Sequence, residues 1–163
     1  MKEAKIPDIS EYRFKDSFRV RYHHCDPHKI VHHSNYLRFM ENARVEYWRQ
    51  FGLSYRDFET TGMMFVVADS YCKYISSAKF DDNIDLYTRT TNIKKIVLQM
   101  DYLMKRRDDN ETILYGAITL VNVDYNTRRP VRIPESVVRA IKEFEENGTA
   151  AEIDPLKLIK TRS

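Results

Sequence analysis

The chain has 163 residues, of which 42% are hydrophobic and 31% charged, and these values are typical of one globular domain and exclude a disordered chain. The formal net charge of +3 is spread along the sequence, which argues against a nucleic-acid-binding surface and suits a small anionic ligand. No apolar run is long enough for membrane insertion, the start has no signal-peptide pattern, and Cys25 and Cys72 have no disulfide-framework spacing, so we expect a cytoplasmic protein.

The first two elements predicted in chain order are a strand and a long helix. Apolar residues alternate with polar ones over Phe14–Tyr22, which predicts a strand with one apolar face. Apolar residues then recur at spacings of three and four over Tyr36–Phe51, which predicts a helix that Ser34 or Asn35 caps and Gly52 ends. The apolar stripe of this helix comprises Tyr36, Met40, Ala43, Tyr47 and Phe51, widened by Leu37 and Trp48.

Four more strands follow, because the hydrophobic period drops to two. They are predicted at Met64–Ile75 (bent near Asp69), Asn83–Ile93, Ile96–Arg106 and Thr112–Asp124. Their short connections favour antiparallel pairing. A last amphipathic helix is predicted at Pro134–Asn147, where Gly148 ends it.

These elements predict an α+β fold in which an antiparallel sheet wraps around the long helix, with a short C-terminal helix beside it. Residues 1–148 form the single domain. Residues 149–163 are expected to be a loosely held tail.

The stretch "YHHCDPHKIVHHSNY" contains all five histidines of the chain, and three interpretations of it are open: a metal site, a catalytic site or a polar loop. His28 and His32 are four residues apart, but Pro27 and the cap signals place the start of the helix after them. No second ligand pair accompanies them, so we predict no metal site.

The segment "CDPHKIVHHSNY" resembles the signature of hotdog-fold acyl-CoA thioesterases of the 4-hydroxybenzoyl-CoA thioesterase and YbgC type. The resemblance extends through "LRFMENARVEYWRQFG" and "FVVADSYCKYISSAKFDDNIDLYTRT" and covers roughly Phe14–Pro134. The chain departs from this signature at one place: the family usually has glycine two or three residues after the aspartate, where this chain has His28 and Lys29.

The resemblance implies that Asp26 is the catalytic carboxylate, acting as general base or as nucleophile. Pro27 disfavours helix at Asp26 and so keeps the carboxylate in the loop. The free amides at the start of the helix, near His33 or Ser34, suit a thioester carbonyl. The resemblance further assigns carbonyl polarisation to His33 and pocket lining to Tyr22.

Candidate substrate-binding residues lie in two places. Ser34, Asn35 and Tyr36 stand at the helix start, and Lys94 and Lys95 match a basic pair that meets coenzyme A phosphates in the family. Each site residue has a purely structural alternative. These alternatives are a turn-capping carboxylate for Asp26, a solvent-exposed ring for His33, an inward strand residue for Tyr22 and a solvated hairpin turn for Lys94 and Lys95.

The expected function is hydrolysis of an acyl-CoA thioester without a metal or bound cofactor. The resemblance implies a homodimer or homotetramer with the active site at the subunit interface, and pairing also covers an open strand edge. The alternatives are an acyl-acyl-carrier-protein thioesterase, a non-catalytic acyl-thioester-binding protein and a structural dimer without a ligand. Asp26 distinguishes an enzyme from the last two, because pure binding needs no carboxylate at the carbonyl.

Overall fold

The computed structural model describes residues 6–160 and contains five strands and four α-helices there. The strands are β1 (Phe14–Arg19), β2 (Met63–Tyr74), β3 (Asn83–Lys94), β4 (Val97–Arg106) and β5 (Thr112–Asp124). The helices are α1 (His33–Arg49), α2 (Tyr55–Thr61), α3 (Glu135–Asn147) and α4 (Pro155–Lys160). Short 3₁₀ turns occur at Ile9–Glu11 and Tyr22–His24.

All five strands form one antiparallel sheet in the order β1-β3-β4-β5-β2. The register of β2 shifts between Val67 and Asp69, where a bend near Asp69 was predicted. β1 and β2 are therefore the two edge strands, and the predicted α+β architecture is confirmed.

Helix α1 packs its apolar stripe against the concave face of this sheet. The five stripe residues predicted from the helical period are all buried, and so is Trp48. Leu37, which was expected to widen the stripe, is instead exposed. The helix packs closely on the sheet at Gly116, where a β-carbon would lie 2.8 Å from Cε of Met40 and 3.2 Å from the Tyr71 carbonyl oxygen, so a larger residue would force Met40 to move.

Two predicted boundaries in the first part of the chain are wrong. β1 ends at Arg19, the partner of the first residue of β3, so Tyr22 lies outside the sheet and begins a 3₁₀ turn. Helix α1 begins at His33 rather than Tyr36, because His32 provides the N-cap.

Two helices were not predicted. Ser54 and Asp57 form a capping box that begins α2, and Gly62 ends that helix with a left-handed backbone. The tail was predicted to be loosely held, but Ile153 and Leu158 are buried in the core and Ile153 N donates to the Phe51 carbonyl at 2.9 Å. Residues 161–163 of the predicted tail lie outside the described residues.

The burial of the tail predicts that it contributes to stability. Replacing Leu158, which is 1% exposed, by alanine should lower the free energy of unfolding by about 2–5 kcal/mol, because it leaves a cavity in the core. Leu156→Ala on the same helix is the control: Leu156 is 69% exposed, so its loss should stay within about 0.5 kcal/mol. Urea denaturation measures both, and equal effects would contradict the packing of the tail.

Candidate active site

The loop between β1 and α1 folds back on its own start. The carbonyl oxygen of His24 accepts two hydrogen bonds, one from His32 N at 2.9 Å and one from Asn35 Nδ2 at 2.8 Å. Next to it, Cys25 and Val31 form a bridge. Since α1 begins at His33, these contacts hold the residue after Cys25, which is Asp26, beside the first turn of the helix.

A second loop, residues 75–82, contacts the first loop through its backbone and holds it in place. Val31 N donates to the Ala78 carbonyl at 2.8 Å, and Ile30 forms a bridge with Lys79. Arg106 fixes this second loop, because its guanidinium donates to the Ser77 carbonyl at 2.6 Å and to Asp82 at 3.1 Å. Carboxylates around Arg106 raise the pKa of its guanidinium, so the charge is permanent.

The backbone around Asp26 forms a tight turn. Asp26 N donates to Ile30 O and Lys29 N donates to Asp26 O, each at 2.9 Å, while Asp26 Oδ1 accepts from His28 N at 2.8 Å. Lys29 has a φ of 63°, in the left-handed region that costs a non-glycine residue about 1–2 kcal/mol. The turn therefore has the conformation that glycine would adopt freely, although the chain has lysine at this position.

Asp26 opens onto a cleft of about 470 Å³. The Asp26 cleft is lined by Tyr22, Cys25, Asp26, Pro27, Lys29 and Phe80. The rings of Tyr22 and Phe80 meet edge to face, with centroids 5.9 Å apart, and are 82% and 55% exposed. Asp26 itself is half-buried, and within residues 6–160 its Oδ2 accepts no hydrogen bond. The carboxylate is thus available to a ligand in the cleft.

The backbone amides of His33 and Ser34 differ in whether they have a partner within the described residues. His32 caps the helix, because its Nδ1 accepts from Ser34 N at 3.3 Å and contacts Ser34 Oγ at 2.8 Å. Among the described residues, His33 N donates to no other group. Of the two amides considered from the sequence, that of His33 is therefore the one left for a ligand. The His33 ring is exposed, packs against His32 and is not part of the cleft lining.

Asn35 and Tyr36 are buried and engaged within the protein. Asn35 binds the His24 carbonyl, and Tyr36 Oη accepts from Ala78 N at 3.4 Å. Burial raises the pKa of the Tyr36 hydroxyl, so it stays protonated. In this chain both side chains join the two loops to the helix instead of lining the Asp26 cleft.

Lys94 and Lys95 lie at the opposite end of the sheet from Asp26. Both are exposed, Lys94 as the last residue of β3 and Lys95 in the hairpin turn after it. The first residue of β3 pairs with Arg19, next to the Asp26 loop, so roughly 36 Å of strand separates the two ends. One chain does not bring this basic pair to its own Asp26.

Two of the five histidines accept backbone hydrogen bonds in the loop through their rings. Nδ1 of His24 accepts from Arg21 N at 3.0 Å, as Nδ1 of His32 does from Ser34 N. Within residues 6–160 no three His, Cys, Asp or Glu side chains lie close enough to hold a metal ion. No helix in that range has the length and apolar character needed to cross a membrane.

Three residues that line the cleft were not predicted from the sequence as site residues: Cys25, Lys29 and Phe80. Phe80 comes from the second loop, more than fifty positions later, so its approach to Tyr22 depends on tertiary structure. The only sequence signal was the lysine at the usual glycine position.

A sheet of five antiparallel strands packed on one buried helix, with a carboxylate in the loop that leads into that helix, is typical of a hotdog-fold protein of the thioesterase class. The chain belongs to the Thioesterase-like superfamily, which it matches over residues 20–141.

Individual relatives agree with this assignment. The acyl-CoA thioesterase YbgC of Haemophilus influenzae is 30% identical over 134 residues, which cover 81% of this chain and 96% of the relative. The crystal structure of a hypothetical protein from Aquifex aeolicus superposes with a TM-score of 0.73 at 26% identity and covers 78% of this chain and 98% of its own. The DHNA-CoA thioesterase from Staphylococcus aureus has the same fold, with a TM-score of 0.75 at 21% identity, covering 86% of this chain and 97% of its own.

The loop should lose stability in acid. Burial, with His23, Arg21 and Arg38 nearby, lowers the pKa of His24 below its usual 6.5. Between these two pKa values the unfolded chain binds a proton that the folded chain does not, so stability falls as the pH decreases. The protonated ring also loses its bond from Arg21 N.

His24→Asn should make this dependence shallower, because an amide oxygen accepts from Arg21 N at every pH. Urea unfolding midpoints from pH 7.5 to 5 measure the slope. His28→Asn is the control, since the His28 ring makes no hydrogen bond in the described part of the chain, and it should keep the wild-type slope. Equal slopes for His24→Asn and wild type would contradict the role of His24.

Proposed function

We propose that this protein hydrolyses an acyl-CoA thioester to the free acid and coenzyme A. The observation that carries the proposal is a half-buried carboxylate, Asp26, which opens onto a cleft in the loop that precedes the buried helix α1. Thioester hydrolysis requires a base or nucleophile near the acyl carbon and a donor for the oxyanion. The 30% identity to an acyl-CoA thioesterase supports acyl-CoA as the substrate class.

Asp26 acts at the thioester carbon in one of two ways. As a general base it removes a proton from a water molecule, whose oxygen attacks the carbon while coenzyme A leaves as the thiolate. As a nucleophile its carboxylate oxygen attacks the thioester carbon, and the C–S bond breaks as coenzyme A leaves as the thiolate. Water then hydrolyses the resulting mixed anhydride, which releases the free acid and restores Asp26. In both cases the carbonyl oxygen becomes negative, and the His33 amide at the positive end of α1 stabilises it.

Water is the only co-reactant in this mechanism, and we propose that the enzyme works without a metal or bound cofactor. We also propose a cytoplasmic location, which the free thiols of Cys25 and Cys72 support.

Replacing Asp26 by asparagine tests the reaction. The amide oxygen of asparagine still accepts from His28 N, so the turn should persist while the base or nucleophile is lost. We expect kcat/KM to fall at least about 100-fold, measured as thiol release from a panel of acyl-CoAs.

Asp81→Asn is the matched control, because Asp81 is an exposed carboxylate near the cleft that pairs with Arg19. It should retain wild-type activity. Equal turnover by Asp26→Asn and wild type would refute the assignment of Asp26. Binding of acyl-CoA without turnover by the wild type would favour the non-catalytic alternative.

We further propose that two copies pair through β2 to form a homodimer, alone or within a homotetramer, and that the active site is completed at that interface. β2 is an edge strand of twelve residues and carries three exposed apolar side chains, Val67, Tyr71 and Tyr74. A long apolar edge is a site for pairing with another strand.

A charge on this edge should prevent pairing. Val67, which is 50% exposed, is the position for Val67→Lys, and Ile9→Lys places the same charge on an exposed apolar residue away from β2. Sedimentation velocity should show a shift toward monomer for the first variant alone, with loss of activity. A dimer unaffected by Val67→Lys would contradict pairing through β2.

A further inference from the structure

The residue with the most unusual backbone in the Asp26 cleft is Lys29. Its φ of 63° lies in the region that favours glycine, and its side chain lines the cleft. Backbone strain of this kind clusters at functional sites, where it persists only when the surrounding structure holds it.

The other non-glycine residues with positive φ have evident compensation. Asp81 pairs with Arg19 at 3.0 Å, and the guanidinium of Arg128 lies 5.0 Å from the centroid of the Tyr125 ring. Asn110 is of a residue type that tolerates this conformation. Lys29, by contrast, is exposed and its ammonium group forms no ion pair within residues 6–160, so the turn is held by backbone hydrogen bonds and not by a contact of the lysine side chain.

The position of Lys29 relative to Asp26 limits what it recognises. Its amide donates to the Asp26 carbonyl at 2.9 Å and both residues line the same cleft, so the lysine side chain begins next to Asp26. The remaining wall of the cleft is aromatic and apolar, apart from Asp26. An ammonium group in such a cleft attracts an anionic group of the substrate.

We propose that Lys29 is a specificity residue that favours acyl groups bearing a negative charge close to the thioester. This inference rests on the proposed thioesterase function. A negative group reaches the cleft from two sources, a carboxylate on the acyl group or a phosphate of coenzyme A. The acyl carboxylate is favoured, because the phosphates are separated from the thioester by the whole pantetheine arm.

Glutaryl-CoA and valeryl-CoA provide a matched pair, because both acyl chains have five carbons and only the first carries a carboxylate. In the wild type we expect a higher kcat/KM for glutaryl-CoA. Lys29→Met and Lys29→Gly should each lower the glutaryl-to-valeryl ratio about tenfold, since one charge-assisted interaction is lost. Lys29→Arg should retain the ratio.

Stability distinguishes the backbone effect from the charge effect. Lys29→Gly relieves the left-handed strain and should raise Tm by about 2–4 °C, whereas Lys29→Met keeps that strain and should leave Tm near wild type. Arg128→Gly removes a cation at another positive φ, outside the Asp26 cleft, and should leave the substrate ratio unchanged.

Valeryl-pantetheine separates the two sources of negative charge. If Lys29→Met weakens valeryl-CoA relative to valeryl-pantetheine and leaves the glutaryl-to-valeryl ratio intact, Lys29 binds a phosphate and acyl recognition is refuted. An unchanged glutaryl-to-valeryl ratio in all Lys29 variants also refutes it.

A failure of the proposed function gives a different result. Wild type would then hydrolyse neither acyl-CoA. Calorimetry then measures the dissociation constants of both ligands for Asp26→Asn and for the same variant with Lys29→Met. A preference for glutaryl-CoA that disappears with Lys29→Met supports the inference. No preference in Asp26→Asn overturns it.

Discussion

The site depends on one backbone oxygen, the carbonyl of His24, which accepts from His32 N and from the side chain of Asn35. The first bond closes the loop and the second ties it to the first turn of α1. A hydrogen bond of this kind contributes about 0.5–1.5 kcal/mol, so the two bonds together resist opening of the loop. Because α1 packs against the sheet, the loop that is hydrogen-bonded to α1 is held in a fixed position relative to the core. Asp26 is therefore placed by the helix, although it lies in a loop.

The periodic part of the fold was predictable. The bounds of β5 were correct to the residue, and the buried stripe of α1 followed from its helical spacing. Failures occurred where a partner elsewhere in the chain decides the outcome. β1 ends at Arg19 because its partner strand β3 begins at Asn83. The C-terminal tail is ordered because Ile153 and Leu158 are buried in the core. A local sequence pattern predicts neither of these two long-range contacts.

The site was predictable to a similar degree. The motif indicated Asp26, and the structure places it in a cleft. The motif did not distinguish residues that could contact a ligand from residues that hold the loops in place, because Asn35 and Tyr36 have the same polar groups in either role. Lys29 was visible only as a departure from the glycine position. Its place in the turn required the backbone angle, because a φ of 63° costs a non-glycine residue stability.

The separation of the basic pair from the cleft bears on the assembly. β3 is twelve residues long, and Lys94 ends it while the Asp26 loop lies beside its first residue. The Lys94–Lys95 pair and the Asp26 cleft of one subunit therefore lie at opposite ends of the sheet. If sheets pair antiparallel through β2, each subunit brings its Lys94 end toward the Asp26 end of its partner. In the proposed dimer, a role for Lys94 and Lys95 in binding phosphate is therefore a property of the assembly, and it depends on pairing through the edge strand β2.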